Sequence, residues 1–142
     1  MTYGKLYHEN NICFGLAMVE AYSLEQEAIY PRIIIDKKTI EKALESPGLD
    51  RYPVTFEEIK NLIKIEDKIY YIDFLSNAPE EIEECQKVNN FFSNIKKNIT
   101  SHLNNKDYSE EVLKKYRWFV NYYNNSIERI IKEFKGNPKF FE

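Results

Sequence analysis

Four glycines, two cysteines, two histidines and one tryptophan serve all 142 residues, and each scarcity closes off a class of chemistry. Neither GxGxxG nor GxxxxGK[ST] occurs, which excludes the glycine-rich loops that cradle phosphates. Two cysteines, Cys13 and Cys85, cannot build a disulfide framework, and a reducing cytoplasm is the simplest compartment for such a chain. No run approaches the roughly 18 apolar residues of a spanning helix. No basic stretch followed by an apolar run and a small-residue cleavage site lies near Met1, so no membrane partner is expected. Neither charge sign dominates: 20 Lys and Arg face 23 Asp and Glu, a net charge of -3 that supplies no global drive toward DNA or anionic lipid.

What abounds is aromatic. Eleven Tyr and nine Phe, with 43% hydrophobic residues overall, are too many for a disordered chain, and 142 residues suffice for one domain with a modest core. Within that single domain, 1–142, the text changes character near residue 78. Before it, β-branched and aromatic runs alternate with short helical patterns. Residues 3–8 and Ile12-Cys13-Phe14 flank Glu9-Asn10-Asn11, a hairpin signal because Asn tolerates positive φ. From Leu16 to Ile29 the small or apolar positions Ala17, Ala21, Leu24 and Ala28 form one narrow helical stripe, with Glu20, Ser23 and Glu27 on the other side. Pro31 ends that helix, and Arg32-Ile33-Ile34-Ile35 reads as a buried strand.

Thr39 to Glu45 predicts a short helix closed by Ser46-Pro47-Gly48, and residues 55–63 another, with Thr55 and Glu58 spaced as a capping box. Ile63-Lys64-Ile65 and residues 69–74, around Glu66-Asp67-Lys68, read as a second hairpin. After residue 78 the period is helical throughout. Pro79-Glu80-Glu81 opens a long helix with the stripe Ile82, Cys85, Val88, Phe92, Ile95, Ile99 and Leu103. Asp107 with Glu110 signals the start of a last helix carrying Leu113, Tyr116, Val120, Ile127, Ile131 and Phe134, which Gly136-Asn137-Pro138 stops. The fold class expected is α+β: a small partial antiparallel or mixed sheet with short helices over 1–78, then an antiparallel αα-hairpin over 79–142.

Chemistry finds little material. His8 and His102 are the only histidines, and Cys13, though close to His8, reads as a buried strand cysteine rather than a nucleophile. No His and Cys spacing suits zinc. Glu20, Glu25 and Glu27 look like a solvated face, and Glu20 or Asp36 would join a Mg²⁺ site only beside a phosphate ligand. Tyr116, Arg117, Trp118, Phe119, Tyr122 and Tyr123 crowd two turns of the last helix. Aromatics with an Arg stack nucleobases or anchor interfaces, but the simpler expectation divides them between the helical-hairpin core and a covering sheet or dimer partner.

Residues 3–40 carry a family likeness. A hairpin runs into Phe14-Gly15, then a helix with Ala17, Ala21 and Leu24-Glu25, then the strand Arg32 to Ile35. This order resembles the second half of a class III adenylate/guanylate cyclase domain, and is closer still to poorly characterised bacterial proteins with a cyclase-like, palm-type fold. Their C-terminal segments resemble Lys115-Tyr116-Arg117-Trp118 through Tyr123-Asn124. The family's base-selecting Asp, transition-state Asn and phosphate-binding Arg fall at Ile12, Val19 and Ser23, and its metal-binding aspartates sit upstream of the part resembled. Without two metal ions, in-line phosphoryl transfer loses charge neutralisation and alignment.

The resemblance therefore implies a non-catalytic, cyclase-derived module with no metal or cofactor, binding or sequestering a nucleotide or cyclic-nucleotide second messenger. Lys5, Tyr7, His8, Asn11, Arg32, Arg117 and Trp118 are the candidate ligand contacts. An incomplete sheet has an open edge, which predicts a homo-oligomer, a dimer or higher. The alternatives are an interaction protein that self-associates or docks on a full-length cyclase-like partner, and the C-terminal fragment of a longer cyclase-like enzyme.

Overall fold

The computed structural model describes residues 1–45, 56–82 and 84–134, and the chain divides into two compact units, Met1–Asp73 and Phe74–Glu142. The fold is mixed α+β, with two separate two-stranded antiparallel sheets and six helices among the described residues.

The first unit opens with a ribbon of β1 (Tyr7–Glu9) and β2 (Ile12–Phe14), in register Tyr7 with Phe14, His8 with Cys13 and Glu9 with Ile12. Asn10, at φ 53°, makes the turn. Gly15 leads into α1 (Leu16–Glu27). A Cβ there would lie 2.6 Å from the Lys5 carbonyl oxygen, so only glycine fits. The small-residue stripe does bring the helix close to backbone: a Cβ on Gly4 would meet Ala17 Cβ at 3.2 Å. Yet no residue of α1 is buried.

Helix α1 ends before Pro31. Tyr30, the residue before that proline, lies outside the helix, and Ile29 turns the chain at φ 51°, a costly conformation for a β-branched side chain.

Ile33 to Ile35 does not extend into the expected strand. It makes one antiparallel bridge, Ile34 with Tyr71, framed by Ile35 N–H to the Tyr70 carbonyl (2.9 Å) and Ile72 N–H to the Ile33 carbonyl (3.0 Å). Pro31 and the helix that starts at Lys37 leave too few extended residues for more. Ile34 and Ile35 do belong to the core, as expected, but Ile33 is 48% exposed. Helix α2 (Lys37–Glu45) starts two residues before the predicted Thr39, because Asp36 caps it by accepting the Thr39 N–H.

Helix α3 (Phe56–Leu62) runs straight into β3 (Ile63–Glu66), which pairs with β4 (Ile69–Ile72). The two-residue turn has Asp67 and Lys68 both at positive φ, matching the right-handed twist of the strands. The closing segment Ser46-Pro47-Gly48 and the cap residue Thr55 lie outside the described residues, as does Gly136-Asn137-Pro138.

The second unit differs from expectation at its start. Pro79 does not open the long helix; it lies inside a short one, α4 (Phe74–Glu81), whose Leu75, Ser76, Asn77, Ala78 and Pro79 are all buried. The long helix α5 begins at Cys85 and runs to Leu103. Val88, Phe92 and Ile99 of its predicted stripe are buried. Ser109, not Asp107, caps α6 (Glu110–Phe134): its Oγ accepts the Val112 N–H at 3.4 Å and its carbonyl the Leu113 N–H.

Contacts from Phe92 to Tyr123 and from His102 to Tyr116 run in opposite senses along the two helices, so α5 and α6 form the antiparallel hairpin. The buried line on α6 is Tyr122, Ser126 and Ile130, while Ile131 of the predicted stripe is 45% exposed. The reason is α4: it packs on α6 as well as α5 does, and rotates the best-covered face away from the one a simple hairpin would bury.

Candidate functional site

In the first unit, two features stand on the exposed surface of residues 1–38. One is the β1–β2 ribbon. Tyr7 and Phe14, cross-strand partners, hold their rings 4.7 Å apart, and with Ile12 and Glu9 they occupy one face; His8 and Cys13 occupy the other. Tyr7 donates its hydroxyl proton to Glu9, which raises the Tyr7 pKa. Cys13 is exposed rather than buried, as are all six strand residues of so short a ribbon.

The other feature is an open groove of about 360 Å³ between α1 and the start of α2, lined by Val19, Glu20, Ser23, Leu24, Asp36 and Lys38. Glu20 accepts a hydrogen bond from the Thr2 hydroxyl at 3.0 Å. Burial pushes the Asp36 carboxyl up, but the neighbouring Thr2 hydroxyl and the Thr39 N–H and hydroxyl outweigh it and hold Asp36 below the ordinary carboxylate range. Glu20 and Asp36 thus line the same groove. Among the described residues no group of three His, Cys, Asp or Glu side chains is placed to hold a metal ion.

The predicted ligand contacts fall into three places. Lys5, Tyr7, His8 and Asn11 all lie exposed on or beside the ribbon. Arg32 is used inside the first unit: its side chain is 3% exposed, pairs with Glu66 at 2.8 Å, and lies over the Tyr30 and Tyr71 rings at 5.6 and 5.5 Å. Burial, followed by the nearby Glu66 and Asp73 carboxylates, pushes Tyr71 up to about 12.

Arg117 and Trp118 belong to the second unit. Arg117 grips Glu110 with both terminal nitrogens and holds the Glu110 carboxyl below its usual range. Trp118 stacks on Tyr122, ring centroids 5.5 Å apart.

The aromatic crowd on α6 is divided between two neighbours, as the sequence implied, but the second neighbour is α4. Tyr122 meets Phe74 edge-on at 5.6 Å and accepts the Leu75 N–H at 3.1 Å. Tyr123 donates to the Phe92 carbonyl at 3.2 Å, and Tyr116 stacks on His102 at 4.8 Å. Of the groove residues, Ser23 stood out only through the family likeness and the polar side of its helix, and Lys38 carried no signal in the sequence; Asp36 was readable as a helix cap three residues before Thr39.

No protein-family model, curated protein or solved structure matches this chain. No helix among the described residues is long and apolar enough to cross a membrane.

Proposed function

We propose that this chain is a protein-interaction module that docks on a protein partner through its N-terminal ribbon and α1, in a reducing compartment such as the cytoplasm. The observation that carries this reading is that α1 buries none of its twelve residues, while Leu16, Met18, Val19 and Tyr22 are each more than half exposed. The ribbon before it adds Leu6, Ile12 and Phe14, exposed to 56%, 65% and 56%. Large contiguous apolar surfaces on small proteins mark interaction sites.

The test is photo-crosslinking in the native cell, with a benzophenone amino acid placed at Ile12 or Tyr22 and, as a control, at exposed Asn124 of α6. Adducts at the first two positions and not at the third are expected; an identical pattern at all three overturns the reading.

A nucleotide-binding role is the second reading, favoured by Lys5, Tyr7, His8 and Asn11 being gathered on one exposed hairpin. Calorimetry with a panel of linear and cyclic mono- and dinucleotides tests it. Heat that is lost in the combined Lys5→Ala and His8→Ala variant supports it, and no heat from folded protein overturns it.

A further inference from the structure

The register of the first ribbon sets His8 directly opposite Cys13, and both residues are exposed. Glu9 and Ile12 flank a two-residue turn and so form a hydrogen-bonded pair; by alternation His8 and Cys13 form a non-hydrogen-bonded one. In such a pair the side chains stand closest, with Cβ atoms about 4.5–5.5 Å apart. A thiolate sulfur and an imidazole nitrogen on one tetrahedral zinc ion lie roughly 3.5 Å from each other, given bonds of about 2.3 and 2.0 Å. A cysteine and a histidine rising from that Cβ spacing can converge to such a distance.

The pair is also unoccupied by the rest of the fold. Among the described residues neither the His8 ring nor the Cys13 thiol has a hydrogen-bond or ion-pair partner, whereas the other histidine, His102, meets the Tyr108 hydroxyl at 2.9 Å. Tyr7, Glu9, Ile12 and Phe14 lie on the opposite face of the ribbon.

Two ligands are half of what a structural zinc site needs, and among the described residues no third His, Cys, Asp or Glu joins them. A two-fold axis through the ion supplies the same pair again and completes a closed Cys₂His₂ set. Charge permits the approach. Residues 3–15 hold one lysine and one glutamate, and two thiolates balance the dication.

We propose that His8 and Cys13 are half of a zinc site, which two copies of this chain complete by sharing one Zn²⁺ ion. Each thiol gives its proton to solvent and each imidazole binds in its neutral form, so the two thiol protons leave for every ion bound. The site uses the ribbon face opposite Tyr7, Ile12 and Phe14, and does not depend on the docking reading above.

The full chain, stripped of metal and kept in a phosphine reductant that prevents disulfides, is titrated with Zn²⁺ and followed by light scattering. One zinc per two chains and a doubling of the 17.0 kDa mass are expected, both reversed by a chelator. Cys13→Ser and His8→Ala, each at an exposed position, should abolish the doubling and weaken zinc binding about tenfold or more, at least what losing an outer-shell partner costs. Cys85→Ala should leave both readouts unchanged.

Co²⁺ in place of zinc reads the ligands themselves. The dimer should show a thiolate charge-transfer band with the strong visible bands of a tetrahedral ion, and Cys13→Ser should lose the former. One zinc per chain on a monomer, a dimer that either variant leaves intact, or a cobalt spectrum without the thiolate band overturns the proposal. The docking reading survives any of these, because its crosslinking test at Ile12 and Tyr22 uses neither His8 nor Cys13.

Discussion

The two units handle their apolar residues in opposite ways. In Phe74–Glu142 a short helix is buried almost whole, with Leu75 at 0% exposure, and the rings of Tyr122, Tyr123 and Tyr116 each find a neighbour within the unit. In Met1–Asp73 the core is confined to the neighbourhood of Ile34, Ile35 and Tyr71, and, Ile131 apart, every large exposed hydrophobic side chain among the described residues belongs to this unit. Three helices packed on one another close their own interior. A two-residue turn joining three-residue strands, followed by one helix whose apolar residues are spread around its circumference, cannot, because a lone ribbon has no second layer. Apolar side chains thus close a core in one half and stay largely exposed in the other.

The sharpest way to test that contrast is a pair of leucine truncations. Leu75→Ala should destabilise the second unit by about 3 kcal/mol through lost burial and the cavity left behind. Leu16→Ala, on a residue 76% exposed, should cost less than about 0.5 kcal/mol. Trp118 is the only tryptophan and sits in α6, so urea unfolding followed by its fluorescence reads the second unit directly.

Next in size is Tyr122→Phe, which leaves the Leu75 N–H at the start of α4 without its phenol acceptor. A loss of about 1–2 kcal/mol is expected in the same fluorescence assay. A loss below a few tenths would mean that α4 does not depend on that bond.

In the first unit the expected gain is of opposite sign. Ile29 holds φ 51° and is 61% exposed, so Ile29→Asn relieves a strained conformation while giving up little burial. Protection of α1 amides against hydrogen exchange should rise by about 1 kcal/mol, and unchanged protection would show the strain to be absorbed elsewhere.

The smallest effect concerns pH. Asp36 is held below the ordinary carboxylate range, so the folded state binds fewer protons than the unfolded one in that window. Its stabilisation of α2 is present above the ordinary range and is lost as the pH falls through the lowered value. Exchange protection of α2 should therefore exceed that of Asp36→Asn at neutral pH, and the two should converge as the pH drops from about 5 toward 3. Parallel curves would remove Asp36 ionisation from the account.

Much of this molecule was legible in its residues. Asn10 at a positive φ, the hairpin around Asp67 and Lys68, the extent of α1 and the Val88, Phe92, Ile99 stripe all follow from local stereochemistry and period, which act over a few neighbouring residues. What failed to follow was non-local. Pro79 looks like a helix start because proline is welcome in a first turn, yet it sits in the last turn of a helix whose burial between α5 and α6 no local rule announces.

Cys13 has the composition of a core residue, and Arg32 that of a surface one; the structure exchanges them, exposing the thiol on an open ribbon and enclosing the guanidinium between Glu66 and two tyrosine rings. The sequence by itself determined the local elements and their turns, because dihedral preference and hydrophobic period are properties of short segments. Only the tertiary structure decided which of those elements receive a second layer, and hence that α4 would be buried, that α1 would not, and that Glu20 and Asp36, sixteen residues apart, would share one groove.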